Sequence, residues 1–248
     1  MVTAMGIIAQ FILGDLMTQL TGNERAKYVQ GMFTRIAKRY DLMNRLMTGG
    51  QDVRWRKRVI ELARMKGNAS FLDLGTGTGD LAREALSQFP QARIIAADFT
   101  LEMMRVGQKT SPLNFSTADA LRLPFNDLSF DAVVSGFLMR NVIDLQKALE
   151  EQYRILKRGG RIVILDTTRP KRNLLSPFIW LHMHFVIPTL GELLTGSRDA
   201  YRYLPQTTEG FVTAEEMATR MAIAGFKKID FQRYMFGTIA IHWAEKIL

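Results

Sequence analysis

One stretch constrains the fold more than any other. In residues 70 to 82, Ser-Phe-Leu-Asp-Leu-Gly-Thr-Gly-Thr-Gly-Asp-Leu-Ala, a short apolar run breaks into three alternating glycines and then into a helical pattern. Gly75, Gly77 and Gly79 lack Cβ atoms, so the chain can reverse sharply at a strand end and present bare backbone to a ligand at the next helix N-terminus. A dinucleotide fingerprint would need a third glycine where Asp80 stands, so the turn reads GxGxG and not GxGxxG. An acid where a pyrophosphate would approach speaks against a nicotinamide dinucleotide and for a cofactor with a cationic end. The alternative is a tight strand-to-helix turn with no ligand, and the strands downstream of the glycines weigh against it.

Four further apolar runs lie beyond the glycines, with helical patterns between them. Ala92-Arg-Ile-Ile-Ala-Ala-Asp98 ends in a carboxylate placed either to accept from ribose hydroxyls or to cap the helix starting near Thr100. Asn114-Phe-Ser-Thr-Ala-Asp119 runs into a Leu-Pro-Phe turn, which sets Asp119 within reach of an adenine amino group. Phe130-Asp-Ala-Val-Val-Ser135 and Gly160-Arg-Ile-Val-Ile-Leu165 read as buried strands, with a helix over Leu145 to Leu156 between them. Strands alternating with helices predict a parallel sheet. Upstream, Met32, Ile36, Tyr40, Met43 and Met47 fall on one face of a helix, so Tyr40 points where the apolar stripe points. It is either a core tyrosine with a satisfied hydroxyl or a residue brought to a ligand.

In this order the pieces resemble the class I S-adenosylmethionine-dependent methyltransferases. That resemblance implies an α/β, Rossmann-like fold: a seven-stranded, mostly parallel sheet with an antiparallel last strand, N-terminal helices and a helical lid insertion. The last hairpin is expected from Gly225-Phe-Lys-Lys-Ile-Asp-Phe-Gln and Gly237-Thr-Ile-Ala-Ile-His-Trp-Ala. Tyr40-Asp-Leu-Met-Asn44 followed by Trp55, then Met139-Arg-Asn-Val142, Tyr153 to Gly160, Thr168-Arg-Pro170 and Tyr201-Arg-Tyr-Leu-Pro205 are similar to the ubiquinone/menaquinone biosynthesis C-methyltransferase family. These motifs occur in the family's order, from about residue 28 onward. The chain departs from the family pattern at Asp52, where a His is usual, at Asp166-Thr167-Thr168, where Glu-x-Ser is usual, and at Gly136, where a Ser is usual. These departures bear on the acceptor and not on the reaction type.

The resemblance implies S-adenosylmethionine as cofactor, held by Asp73, Gly75, Thr76, Gly77, Thr78, Gly79, Asp98, Phe99, Asp119, Ala120 and Gly136. It implies a prenylated quinol as acceptor, demethylmenaquinol first and a benzoquinol second, with Tyr40, Asn44, Trp180, Tyr201, Arg202 and His242 as substrate-binding candidates. Methyl transfer from sulfonium to carbon is an in-line displacement, so positioning dominates, and the quinol must lose a hydroxyl proton to become nucleophilic. Arg140 is expected to stabilise the phenolate, with Asn141 orienting it or a bridging water that Asp119 shares, and Tyr40 to face the sulfonium. Arg140 reads otherwise as a surface ion-pair residue, and His242 as a structural strand histidine.

Length fits one domain: residues 1–22 an apolar extension, 23–248 the methyltransferase domain, with the lid over about 171–205. Without cysteine, and with three histidines in no ligating pattern, no metal site is expected. Residues 1–20 carry seven isoleucine, leucine or phenylalanine side chains, among them Ile7 and Phe11, but no basic start or cleavage site, so they read as an interfacial or packing helix and not as a secretory signal. The segment Asn173 to Gly191 has no charged side chain, yet Pro177, Pro188, His182 and His184 argue against a membrane span. It reads as a lid or interfacial helix, or as an ordinary helix packed on the sheet edge.

Lysine and arginine exceed the acids by 33 to 24, giving +9, with clusters around Trp55 and at Arg169, Lys171 and Arg172. A lipophilic quinol is the expected partner and a cytoplasmic location, peripheral at the inner membrane face, the expected setting; a homodimer stays open. Nucleic acid is not expected, since no Asn-Pro-Pro-Tyr-like motif stands after the fourth strand. A non-catalytic cofactor-binding scaffold of a quinone pathway is the remaining alternative.

Overall fold

The structure, a computed structural model, describes residues 22–110, 113–170, 176–195, 205 and 207–247. Residues 1–21 of the apolar extension, and Tyr201 and Arg202 of the lid segment, lie outside the described residues.

The apolar runs form one sheet of seven strands: β1 Ser70–Leu74, β2 Arg93–Asp98, β3 Asn114–Thr117, β4 Phe130–Gly136, β5 Leu156–Thr167, β6 Lys227–Tyr234 and β7 Ile239–Glu245. Their order is β3-β2-β1-β4-β5-β7-β6. Strands β1 to β5 pair in parallel, and β7 runs antiparallel to both β5 and β6. This is the mostly parallel sheet with an antiparallel last strand that the sequence predicts. Strand β5 is longer than expected, reaching back to Leu156 through the exposed turn at Arg158 and Gly159.

Both faces of the sheet are buried, which is why its strands read as continuous apolar runs and not as alternations. Phe71, Ala132, Val134, Val163 and Leu165 face one layer, against Trp55, Val59 and Ile60 of α3 (Gln51–Ala63) and Leu81 and Ala85 of α4 (Asp80–Gln88). Leu72, Val133, Ile162 and Ile164, one residue out of phase, face the other layer, against Ala148 and Leu149 of α6 (Leu145–Ile155) and Met217 and Met221 of α9 (Ala214–Ile223). Between β2 and β3, α5 (Leu101–Gln108) packs so closely on the glycine turn that a Cβ on Gly107 would collide with the carbonyl oxygen of Thr78.

The predicted helix through Tyr40 is broken. Helix α1 (Gly22–Ile36) passes into a 3-10 turn, Ala37–Arg39, and α2 (Tyr40–Met47) restarts at the tyrosine. The apolar face survives the break, because Val29, Met32, Ile36 and Met43 form a third cluster with Ile187 of the lid. That lid consists of α7 (Ser176–Leu181), a π-helical turn His182–Val186 and α8 (Ile187–Thr195). Pro188 has no N–H to give the carbonyl of His184, and just before it the backbone N–H of Ile187 donates to the oxygen of His182, one residue wider than an α-turn. Among the described residues, no helix is long and apolar enough to cross a membrane.

His242 lines none of the three cavities described below and packs on α9 instead, which corrects its expected substrate contact. Strand alternation turns it from the Ile239 and Ile241 face toward α9, where Nε2 lies 2.9 Å from the Ala214 oxygen and the ring stands 5.2 Å from that of Phe231. Burial pushes its pKa down to about 4.

This packing has two measurable outcomes. Gly107→Ala is expected to cost about 1–3 kcal/mol through overpacking, a Tm fall of roughly 2–12 °C in a thermal melt; a rise, as helix propensity alone would give, would show that the close contact is absent. For His242, the unfolded chain binds a proton between about pH 6.5 and about pH 4 that the folded chain refuses, so stability is lost as pH falls through that window, by up to about 3 kcal/mol. Urea unfolding should therefore show the stability advantage of wild type over His242→Gln shrinking between pH 7 and pH 4.5, and a constant difference would refute it.

Candidate active site

At the end of β1 the backbone N–H groups of Gly75 and Thr76 both donate to the Ala97 oxygen of β2, 2.8 and 3.0 Å away, which hooks the turn onto the neighbouring strand. Gly75 has φ +70°, and a Cβ there would press on Leu138, so glycine is required on both counts. The carboxylate of Asp73 holds the turn from within: Oδ2 accepts from Thr76 Oγ1 at 2.6 Å and from the Ala82 N–H of α4 at 3.0 Å, while Oδ1 is buried with no partner. Burial raises its pKa to about 7.

Asp98 does comparable work from β2. Its Oδ2 accepts from the Gly77 N–H at 2.7 Å and its Oδ1 from the Thr100 N–H at 2.7 Å, at the start of α5. It braces the helix start, as one of the two readings expects, and it also lines the groove beside the turn. The charge of Asp80 does not act as its place in the sequence suggests: its carboxylate is paired with Arg56 and Arg83, and Arg56 turns inward to Asp52 as well. The acidity at the turn comes instead from Asp41, Asp73 and Asp98, and burial raises the pKa of each. Asp41, accepting from Thr78 Oγ1 at 2.8 Å, fastens α2 to the turn.

Three adjoining cavities open along the carboxyl edge of the sheet. A groove of about 180 Å³ is lined by Gly75, Gly77, Asp98, Phe99, Asp119, Ala120 and Gly136, with Leu138, Asn141 and Val142 opposite. A smaller recess of about 40 Å³ is lined by Asp73, Thr76, Thr78, Arg56 and Asp80. Together they take in every expected cofactor residue except Gly79, which sits behind them as the left-handed N-cap of α4.

The third cavity, about 390 Å³ and mainly apolar, lies between α1, α2, the lid and the β6–β7 turn. Met32, Ile36, Met47, Ile179, Met183, Met235, Phe236 and Ile239 supply its greasy walls, and Asn44, Arg140, Thr167, His182 and Thr208 its polar points. Tyr40 and Phe137 line all three cavities, so they stand where groove, recess and apolar cavity meet. Burial pushes the Tyr40 phenol up, against the pull of Arg140, so it holds its proton as a donor.

Arg140 is buried and not a surface residue. Its Nη1 lies 2.7 Å from Asp166 Oδ1, its N–H donates to Asp166 Oδ2 at 3.2 Å, its guanidinium sits 5.2 Å from the Phe137 ring centroid, and its carbonyl accepts from Arg25 Nη2 of α1 at 3.1 Å. The structure thus brings Tyr40, Asn44 and Arg140 to the apolar cavity. It puts Asn141 and Asp119 on the groove side, where Asn141 Nδ2 donates to the Phe137 oxygen at 2.9 Å and Asp119 Oδ1 accepts from the Leu121 N–H at 2.9 Å. Arg140 and Asp119, expected to share a water, line different cavities that adjoin at Tyr40 and Phe137.

Trp180 is likewise corrected: it is 51% exposed and stacks on His184 with ring centroids 4.8 Å apart, while Ile179, His182 and Met183 take the inward face of the lid. Sequence reasoning missed Phe137, Thr167, His182 and Thr208. Phe137 carries φ +58°, and Met235 and Phe236 also have positive φ; three strained side chains wall one cavity, a clustering typical of functional sites.

Comparison with known proteins agrees with this geometry. The fold is shared with the phosphoethanolamine N-methyltransferase 2 of Haemonchus contortus, solved with S-adenosyl-L-methionine (TM-score 0.60, 18% identity, 79% of this chain and 53% of that one). It is shared also with the cyclase SpnF (TM-score 0.65, 16% identity, 89% and 95% of the two chains). The ubiquinone/menaquinone biosynthesis C-methyltransferase UbiE of Desulfotalea psychrophila is 42% identical over 221 residues, 88% of this chain and 90% of that protein. The demethylmenaquinone methyltransferase of Thermus thermophilus is 41% identical over 220 residues, 87% of this chain and 100% of that protein. The ubiE/COQ5 methyltransferase family profile matches residues 19–246, and the chain belongs to that family as an S-adenosylmethionine-dependent methyltransferase.

Proposed function

We propose that this chain methylates a ring carbon of a prenylated quinol, demethylmenaquinol before a benzoquinol. The observation that carries the reading is the apolar cavity of about 390 Å³ meeting the cofactor groove at Tyr40 and Phe137, with one buried guanidinium on its wall. The names of the relatives, a ubiquinone/menaquinone C-methyltransferase and a demethylmenaquinone methyltransferase, point the same way.

The residues present fit the cofactor. Asp73 Oδ1 is a buried acceptor without a partner, suited to an ammonium beside the turn, and Arg56 in the same recess suits a carboxylate. Asp98 brings a carboxylate to the groove wall, an acceptor for a ribose hydroxyl, and Phe99, Ala120 and Val142 offer apolar faces to a base. When bound, S-adenosylmethionine supplies an electrophilic methyl on sulfonium. The Tyr40 ring stands at the junction, where an aromatic face attracts the positive sulfur. Arg140 lowers the cost of negative charge on the ring oxygen, in a site with little water to screen it. The remaining walls exclude water and align acceptor carbon, methyl and sulfur, worth about 7–11 kcal/mol in well-oriented systems.

We read the lid's outer face as a membrane contact. Trp180, Leu181, Phe185 and Val186 are exposed on the far side of a segment whose inner face lines the acceptor cavity, and the chain carries +9 overall. A bilayer there would deliver the tail of the quinol directly to the opening.

Incubated with methyl-labelled cofactor and a panel of reduced quinols, the protein is expected to label a ring carbon, and label on oxygen or nitrogen would reject the assignment. Arg140→Gln should lower kcat by about 10²–10³-fold with cofactor affinity nearly unchanged in calorimetry; full activity would remove the guanidinium from the chemistry. On vesicles of mixed neutral and anionic phospholipid, the double variant Trp180→Asp, Phe185→Asp should partition about tenfold less than wild type. Equal partition, or an apolar face consumed by self-association in light scattering, would reject the membrane contact.

A further inference from the structure

Five side chains that line the acceptor cavity carry a buried polar atom with no hydrogen-bond partner: Asn44 Nδ2, Arg140 Nε, Thr167 Oγ1, His182 Nε2 and Thr208 Oγ1. They are half of the ten such atoms found among the described residues, and they surround one otherwise greasy space. Buried polar atoms are nearly always paired, so a concentration of bare ones marks where a ligand supplies the partner. The ligand this set fits is compact, apolar and edged with hydroxyl oxygens.

One of the five can also take a proton. Arg140 stays charged, and the amide of Asn44 and the hydroxyls of Thr167 and Thr208 do not titrate. Tyr40 keeps its proton, since burial raises its pKa. The carboxylate of Asp166 is held by Arg140 and by the Thr167 N–H at 2.7 Å, and does not line the cavity. Among the described lining residues, His182 is therefore the side chain whose ring nitrogen can act as a proton acceptor. Its neighbour shows the contrast: His184 faces outward, with Nδ1 3.1 Å from the Trp180 oxygen and Nε2 3.5 Å from Glu209. His182 opens the π-helical turn, and single π-turns recur at functional sites because they shift side-chain direction by one position.

We infer that His182 Nε2 is the general base that takes the hydroxyl proton of the acceptor ring, with Asn44, Thr167 and Thr208 donating to or accepting from its oxygens. The inference rests on the quinol reading above. The O–H proton passes to Nε2 and leaves an oxyanion beside Arg140 and an imidazolium. The ring carbon then forms a bond to the methyl group as the carbon–sulfur bond breaks, its electron pair staying on sulfur. The methylated ring carbon loses its proton to water while the imidazolium returns one to the ring oxygen. The products are the methylated quinol, S-adenosylhomocysteine and one proton released, with no change of oxidation state that needs a further reagent.

The test uses the full chain with S-adenosylmethionine and demethylmenaquinol, comparing wild type with His182→Ala, His182→Gln and Thr208→Val. His182→Ala and His182→Gln should each lower kcat by about 10²–10³-fold, with S-adenosylhomocysteine affinity by calorimetry within twofold of wild type. Added imidazole should raise the rate of His182→Ala and leave wild type unchanged. Thr208→Val should raise KM several-fold and keep most of kcat. Should His182→Ala fail to fold, His182→Gln keeps the bulk and polarity of the site and carries the comparison. A kcat for His182→Gln within threefold of wild type, or a loss confined to KM, overturns the base assignment while leaving the quinol reading intact. Wild type that binds S-adenosylhomocysteine but methylates no quinol carbon overturns both.

Discussion

A carboxylate buried inside the sheet holds the cofactor turn in shape. Asp73 gives one oxygen to the hydroxyl of Thr76 and the N–H of Ala82, joining strand, turn and following helix, and burial raises its pKa to about 7. An acid so poorly solvated is a costly brace for a loop. Its retention makes sense because its second oxygen is left bare beside the recess at the turn. Asp98 repeats the arrangement one strand away, bracing Gly77 and the start of α5 while facing the groove. The same two side chains that brace the turn also face the cavities beside it.

The acceptor side is organised on a different principle. Its charge is confined to one buried pair, Arg140 with Asp166, which ties the loop after β4 to the end of β5. The surrounding walls come from six separated stretches of chain, two of them held in left-handed backbone conformations at Phe137 and at Met235 and Phe236. Such conformations persist where the surrounding packing over-determines them. Asp166, one of the chain's departures from the family pattern, is the partner of Arg140, and another, Asp52, lies buried under Thr48 and Arg56.

The sheet and the glycine turn were legible because they are local: apolar run, glycines and helix succeed one another within 13 residues, and strand alternation is a two-residue rule. Tyr40 and Arg140 were legible through motif resemblance. Trp180 and His242 went astray because facing is decided by tertiary packing: the π-turn reorients the lid, and β7 pairs so that His242 points at α9. Thr167, His182 and Thr208 carried no sequence signal of meeting at one cavity, since they converge from a strand end, a lid helix and the segment before α9. The inward turn of Arg56 was hidden for a similar reason, its acid partner Asp80 lying on another helix.

Two polar fastenings of α1 and α2 fall on the cofactor side, Gln30 to the Phe99 carbonyl and Asp41 to Thr78, and a third ties Arg25 to the Arg140 carbonyl between the two sides. Toward the lid the same helices pack through a greasy cluster of Met32, Ile36, Met43 and Ile187. One half of the molecule is thus keyed by direction-specific bonds, while the other adheres through contacts indifferent to sequence detail. New acceptors can be accommodated by exchanging oily residues on the second half, leaving the donor machinery untouched, and a single scaffold can diversify its chemistry without being rebuilt.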